Sequence, residues 1–364
     1  MDPQLSTLNT RPSGWQGVIA RYARYLPVSD ATPVVTLNEG NTPLIRADNF
    51  VAAIGGKFEL WLKYEGLNPT GSFKDRGMTV AVSKAKERGA QVVICASTDN
   101  TSASAAAYAA RAQMKCVVLL PHGNITLGKL AQALMYGATT IAVEGNFDDA
   151  LRIVRELGKT GKVEVVNSVN PARIEGQKTA AFEICDGLGR APDIHFLPVG
   201  NAGNITAYWK GFKEYLSTGQ SKGLPRMFGW QAAGAAPIVE GHPIEKPNTV
   251  ASAIRIGNPA SWQGASGAIQ ESIGHIDKVT DEEILAAYQL IARTEGIFAE
   301  PASCAPLAGL IKCVNAKTIR EGSVITATMT GHGLKDQDTA IKAAGFEPVV
   351  VEPKKEAVMK VMGL

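Results

Sequence analysis

The segment Glu65-Gly66-Leu67-Asn68-Pro69-Thr70-Gly71-Ser72-Phe73-Lys74-Asp75-Arg76-Gly77 lies between an apolar run, Phe58 to Leu62, and a helical pattern that ends at Gly89. Its first half is rich in Asn, Pro and Gly, so Lys74 is expected where a turn passes into a helix. A helix N-terminus carries partial positive charge and unpaired N–H groups, which disfavour an ammonium and lower the pKa of a lysine held there. A neutral amine is a nucleophile. At this point Lys74 has three open roles: a Schiff-base lysine, a phosphate-binding lysine, or a solvated surface lysine.

Beyond this segment the pattern becomes regular. A helix from Thr79 to Arg88 leads to the strand Val92 to Ala96, a polar turn at Ser97 to Asn100, and an alanine-rich helix from Thr101 to Arg111. The strand Cys116 to Leu120, the helix Leu127 to Tyr136, the strand Thr140 to Val143, the helix Asp148 to Leu157 and the strand Val163 to Val166 follow. Short β-branched strands joined by helical crossovers imply a parallel sheet covered on both faces. A second series runs through a helix from Ile174 to Leu188, the strand Ile194 to Val199, a helix from Ile205 to Leu216, a capping box of Thr280 and Glu283, a helix containing Leu307, Leu310, Ile311 and Val314, and the strand Val324 to Thr330. Gly241 to Gly267 reads as a long irregular connection of the kind that covers an active site. Before Lys74, residues 1 to 12 read as disordered and Val18, Ile19, Tyr22 and Leu26 as a short docking helix. The fold class is therefore α/β, two doubly wound parallel-sheet domains with a cleft between them. The first seventy or so residues pack with the C-terminal half, giving a discontinuous large domain, 1–76 and 167–364, and a small α/β domain, 77–166.

A chain of 364 residues, 45% hydrophobic, has apolar material for two such units. Lys and Arg number 37 against 34 Asp and Glu without like-charge blocks, which argues against nucleic acid or an anionic membrane and for small anions met locally. No apolar run has the length of a membrane span and the first thirty residues lack a signal-peptide core, so a cytoplasmic location is expected. The five cysteines and five histidines lack metal-ligand spacing; the cysteines read as core residues and no metal is expected.

In α/β folds ligands collect at the carboxyl ends of strands. Gly200-Asn201-Ala202-Gly203-Asn204 joins a strand to a helix with open backbone, which suits one phosphate group or an ordinary tight turn. It lacks the third glycine of a dinucleotide fingerprint, and no acidic residue closes a following strand, so NAD is disfavoured. Ser97-Thr98-Asp99-Asn100-Thr101-Ser102 offers hydroxyls, an amide and N–H groups to a carboxylate or phenolic oxygen, or serves as a helix cap. Thr330 ends a strand and can give or take one hydrogen bond. A nucleophilic lysine, a cradle for one phosphate and polar strand ends together suit pyridoxal 5′-phosphate (PLP).

Asn68-Pro69-Thr70-Gly71-Ser72-Phe73-Lys74-Asp75-Arg76-Gly77 resembles the Schiff-base motif of the bacterial threonine synthases, within the β-family (fold type II, tryptophan synthase β-like) of PLP enzymes. The similarity extends to Glu39-Gly40-Asn41-Thr42-Pro43-Leu44, Thr101 to Tyr108, Asn167 to Pro171 with Arg173 to Thr179, Leu197 to Tyr208 and Gly331 to Asp336. The resemblance implies that Lys74 binds the cofactor and moves protons, Asn100 meets its 3′-oxygen, Gly200, Asn201, Ala202, Gly203 and Asn204 cradle its phosphate, and Thr330 faces its pyridine nitrogen. A neutral hydroxyl there does not enforce pyridinium formation and favours elimination over transamination. The implied substrate is O-phosphohomoserine, its phosphate met by Thr101, Ser168 and Arg173, with Ser97 and Lys335 contributing. Without the resemblance, Arg173 reads as half of a buried ion pair. The implied reaction removes the Cα and Cβ protons, expels phosphate from Cγ and adds water at Cβ; the implied assembly is a homodimer.

Asp99 departs from the pattern, since the family usually has glycine there. Aspartate adds a negative charge beside two anions. Turned inward it should weaken anionic substrate unless it is protonated or paired with a cation; turned outward it need only tolerate backbone strain. Asn38, where relatives tend to be apolar, is a lesser departure. Asp99 leaves two further readings open: a paralogue performing β-elimination of serine or threonine or γ-replacement on a homoserine ester, and a PLP- or amino-acid-binding protein without turnover.

Overall fold

The computed structural model describes residues 14–97, 99–122, 127–145, 147–346 and 348–364. The expected disorder of residues 1 to 12 lies outside them, as does Thr98. The strands are β1 (Leu44–Arg46), β2 (Glu59–Tyr64), β3 (Val92–Ala96), β4 (Lys115–Pro121), β5 (Thr139–Val143), β6 (Glu164–Val165), β7 (Ile194–Pro198), β8 (Arg226–Ala232), β9 (His275–Val279) and β10 (Val324–Met329). They form two sheets, one of six strands in the order β1-β2-β10-β7-β8-β9 and one of four in the order β5-β4-β3-β6. All pairings are parallel except β1 on β2, so the larger sheet carries one antiparallel edge strand.

The larger sheet is buried on both faces, as parallel strands covered by helices must be. Because side chains alternate along a strand, Phe196 joins Leu60, Leu62, Trp230, Ile325 and Ala327 on one face, under the Asp281–Glu295 and Pro301–Asn315 helices. Leu197, its neighbour, joins Val199, Met227, Phe182, Tyr208 and Phe212 on the other, under the Thr179–Leu188 and Gly203–Ser217 helices. The smaller sheet packs Val93, Cys95, Val118 and Leu120 against alanines of the Asn100–Ala112 helix, whose small side chains allow close approach.

Several segments differ from expectation. The helix foreseen from Ile174 to Leu188 begins at Pro171 and is divided at Lys178 into Pro171–Gln177 and Thr179–Leu188. Its earlier start has a local cause: Asn170 accepts the Ala172 N–H at 2.9 Å and Pro171 occupies the first turn. The connection from Gly241 to Gly267 is irregular only as far as Ser261, apart from one short turn of helix, and then becomes the Trp262–Glu271 helix. The strands β8 and β9 were not foreseen.

Candidate active site

Five of the segments singled out in the sequence follow the carboxyl ends of strands. The Lys74 turn follows β2, the Ser97 turn β3, Asn167 to Arg173 β6, the glycine turn β7, and Thr330 β10. Lys74 is the first residue of the Lys74–Glu87 helix, as its turn predicted. The turn is held by Asp75, whose carboxylate accepts the Thr70 N–H at 2.7 Å and the hydroxyls of Thr70 and Ser104, each at 2.6 Å. Phe73 N–H donates to Thr330 O at 2.9 Å, His332 N–H donates to Gly71 O at 2.9 Å, and Ser72 bridges Gly331, so the lysine turn and the end of β10 are fastened together.

The Lys74 helix meets the Pro171–Gln177 helix across two glycines. A Cβ on Gly77 would lie 2.6 Å from Arg173 Nε, and one on Gly176 would lie 1.9 Å from Arg76 O. Backbone can approach this closely only where both side chains are absent. The result places the fully buried Arg173 beside Lys74, whose pKa falls to about 7. Burial is the main cause and the Arg173 charge the second, so the expected direction holds for reasons beyond the helix terminus. Arg173 itself is lowered to about 10 by burial. It donates one hydrogen bond, from Nη1 to Val166 O at 2.8 Å, while Nε and Nη2 have no hydrogen-bond partner among the described residues. The ion pair foreseen as its alternative role is not among their salt bridges. Two residues beyond Lys74, Arg76 pairs with Glu65 and Glu183, each at 2.6 Å, and Lys63 pairs with Glu183 at 2.7 Å, so these two cations and two carboxylates balance one another. Burial pushes Glu183 upward, but these cations hold it down at about 2.

Ala202 adopts a left-handed conformation, φ 62°, at the N-cap of the Gly203–Ser217 helix, leaving its first-turn N–H groups open. Asn201 donates to Ser168 Oγ at 3.0 Å and accepts from Ala260 N–H at 2.9 Å, which ties the glycine turn to Ser168 and to the long connection. A Cβ at Gly200 would stand 2.9 Å from Ile254 Cα. Both side-chain polar atoms of buried Asn204 lack partners among the described residues.

The Ser97 turn approaches from the smaller sheet. Ser97 Oγ accepts the Asp99 N–H at 3.2 Å, and Thr101 stands in the first turn of the Asn100–Ala112 helix. Asp99 has φ −138° and is not left-handed, so the positive-φ strain that glycine would relieve does not arise. Its carboxylate turns inward: Oδ2 accepts from Ser252 Oγ at 3.4 Å, and its charge acts upward on the pKa values of Lys74, Lys335 and Glu300. Lys335 donates to Thr70 O at 3.2 Å and also to Gln132.

Glu300 was missed in the sequence. It is 3% exposed, Oε2 accepts from Asn100 Nδ2 at 2.9 Å and Oε1 accepts from Thr330 Oγ1 at 3.0 Å. Burial first and Asp99 second push it up to about 7. The only local signal is an acid between the apolar Ile297-Phe298-Ala299 and Pro301, which opens a helix.

The family model for pyridoxal-phosphate dependent enzymes matches residues 35–331. Over 345 residues the chain is 58% identical to the threonine synthase of Halalkalibacterium halodurans, covering 95% of this chain and 97% of that protein. It is 55% identical to the threonine synthase of Methanocaldococcus jannaschii over 341 residues, 91% of this chain and 84% of that one. The chain belongs to the threonine synthase family. Among solved structures, threonine deaminase isoform 2 of Solanum lycopersicum superposes with a TM-score of 0.73 at 21% identity, covering 90% of this chain and 88% of the other. Maize serine racemase gives 0.70 at 18%, covering 87% and 96%. These two likenesses establish the fold alone.

As a member of the threonine synthase family the protein is a PLP-dependent lyase. The geometry fits that cofactor: an amine with a pKa near 7, an open helix N-terminus beside unpartnered Asn204, and Asn100 Oδ1 and Ser72 Oγ buried without partners among the described residues. No group of acidic, histidine and cysteine side chains able to hold a metal occurs among the described residues, and none of their helices is long and apolar enough to cross a membrane. All five cysteines are free and buried.

Proposed function

We propose that this threonine synthase family member converts O-phospho-L-homoserine and water into L-threonine and phosphate. The observation that carries the reading is Arg173, a buried guanidinium with two unpartnered nitrogens beside the low-pKa Lys74. A planar fork of that kind suits a phosphate. Lys74 holds the cofactor, the glycine turn from Gly200 to Asn204 receives its phosphate, and Asn100 and Thr330 meet the ring. The cofactor supplies an electron sink for the charge left at substrate carbon. Lys74, returned to a neutral amine, takes the Cα proton and serves later proton transfers. Arg173, Ser168 and Thr101 bind the departing phosphate, with Ser97 and Lys335 at the edge of the site, and stabilise its charge as it leaves.

The same reading takes residues 77–166 as a small domain that closes over the substrate and excludes stray water. It also takes a cytoplasmic homodimer as the working form, which sedimentation would test. The decisive experiment incubates the PLP-loaded protein with O-phosphohomoserine and follows organic product by NMR beside released phosphate. Equal amounts of threonine and phosphate are expected. Phosphate with a different organic product, or no turnover, would overturn the proposal.

A further inference from the structure

Glu300 joins the two side chains proposed to meet the cofactor ring, and the directions of its hydrogen bonds follow from its neighbours. Gly331 N–H donates to Ser303 Oγ at 3.0 Å, so the Ser303 hydroxyl must send its own proton elsewhere. Thr330 Oγ1 lies 3.0 Å away and Gly331 O 3.4 Å away, which favours Thr330 as the acceptor. While Glu300 is ionised, Thr330 gives its only proton to Oε1 and keeps one lone pair, so it can only accept from a further group. When Oε1 carries a proton, the bond reverses. Thr330 then accepts from Ser303 and Glu300 and has its own proton to give. The two arrangements differ by one proton: with it on Glu300 Oε1, Thr330 has its own proton to give outward, and once a proton has been given outward, Thr330 has a lone pair to offer it.

We infer that Glu300 and Thr330 form a two-group proton relay, in which Glu300 Oε1 holds the proton that Thr330 Oγ1 presents to the ring nitrogen of the cofactor. As Glu300 passes its proton to Thr330, Thr330 passes its own outward, and the Glu300 carboxylate left behind balances the charge gained by the ring. Thr330 is thus more than a neutral hydroxyl: it is backed by a buried acid. An ionised Glu300 also fixes the Asn100 amide, because only Nδ2 can face it, leaving the second N–H of that nitrogen for another acceptor.

The surroundings suit a proton that moves. Glu300 is faced by Asp99 and Asn100 from the start of one helix, Lys74 from the start of another, Lys335 and Asp336 from the turn after β10, Tyr64 from β2 and Cys304 from its own helix. With burial and Asp99 raising it to about 7, both states of the carboxyl are populated near neutrality.

The inference rests on the proposed roles of Lys74, Thr330 and Asn100, and the test separates the two. Wild type and Glu300→Gln are loaded with PLP labelled with ¹⁵N at the ring, and the nitrogen resonance is followed from pH 5.5 to 9. Reduction and peptide mapping locate the cofactor. Wild type is expected to show a shift with a midpoint near neutrality that Glu300→Gln lacks. Glu300→Asp should restore part of it, and kcat in Glu300→Gln should fall about 100-fold with KM changed little. A wild-type resonance that does not move, or variants that titrate as wild type does, would overturn the relay while leaving Lys74 in place. Cofactor found away from Lys74 would overturn both readings. Should Glu300→Gln fail to load, the wild-type and Glu300→Asp titrations still decide.

Discussion

Lys74 differs from an ordinary lysine in where its proton is lost. With a pKa near 7 instead of 10.5, its amine is largely free at pH 8. The rate at which the cofactor-free protein takes up PLP should therefore rise with pH through about 7 and level off. An uptake rate that keeps climbing towards pH 10 would contradict the low pKa. Asp99 carries the opposite charge into the same space. Removing it in Asp99→Gly should lower KM for a phosphorylated substrate about fivefold, roughly 1 kcal/mol, at low ionic strength, with less effect in 0.5 M salt. Because Asp99 is not left-handed, the glycine should bring no relief of backbone strain, and thermal stability should change little. Lys74 could be found from sequence because the turn that positions it is local. Glu300 could not, because its burial and both of its partners come from residues about 200 and 30 positions away.

Among the elements, the contact between the Lys74 helix and the Pro171–Gln177 helix is the tightest constraint on the site. Gly176→Ala would place a methyl group against the Arg76 carbonyl, which neither helix can give up without moving. A loss of about 3 kcal/mol in stability is expected, with a drop of at least tenfold in kcat/KM as Arg173 leaves Lys74. Urea unfolding and steady-state kinetics would measure the two, and a variant with wild-type values for both would refute the packing argument. The strands β3, β4, β7 and β10 were legible because burial on both faces leaves mostly apolar runs, β-branched in β3, β4 and β10 and interrupted in β7 by His195. β8, Arg226-Met227-Phe228-Gly229-Trp230-Gln231-Ala232, was not. Gly229 interrupts it where a Cβ would meet Val199 Cγ2 at 2.9 Å, a need of packing that no local pattern announces. β9, His275-Ile276-Asp277-Lys278-Val279, is a half-exposed edge strand whose polar residues disguised it. The Trp262 end of the helix before it fell in the stretch read as an irregular connection.

For the whole molecule, the proposed ligand groups come from both sheets, and polar contacts link them: Asn100 with Glu300, Asp99 with Ser252, Ser104 with Asp75, Asn201 with Ser168, and Lys335 with Gln132. A cofactor bound at the carboxyl ends of both sheets adds to those links. PLP at 100 times its dissociation constant should therefore raise stability by about 2.7 kcal/mol, the value for a ligand that binds only the folded state. A thermal midpoint unchanged by saturating PLP would count against a preformed site. The alternation of strands and helices made the two-sheet plan readable, while β1 continues the extended exit of the Pro43 turn and its antiparallel pairing has no local signal.

The fastening of residues 71–73 to residues 330–332 has a consequence for how new specificities can arise. The proposed attachment point and the proposed ring contact are welded into one unit, so a change there disturbs both together. The Ser97 to Thr101 turn hangs from the other sheet, and among its described residues the Asn100 side chain reaches the weld by way of Glu300. Substrate preference can thus be rewritten in that one short turn, by exchange between relatives, while the cofactor anchorage is inherited unaltered.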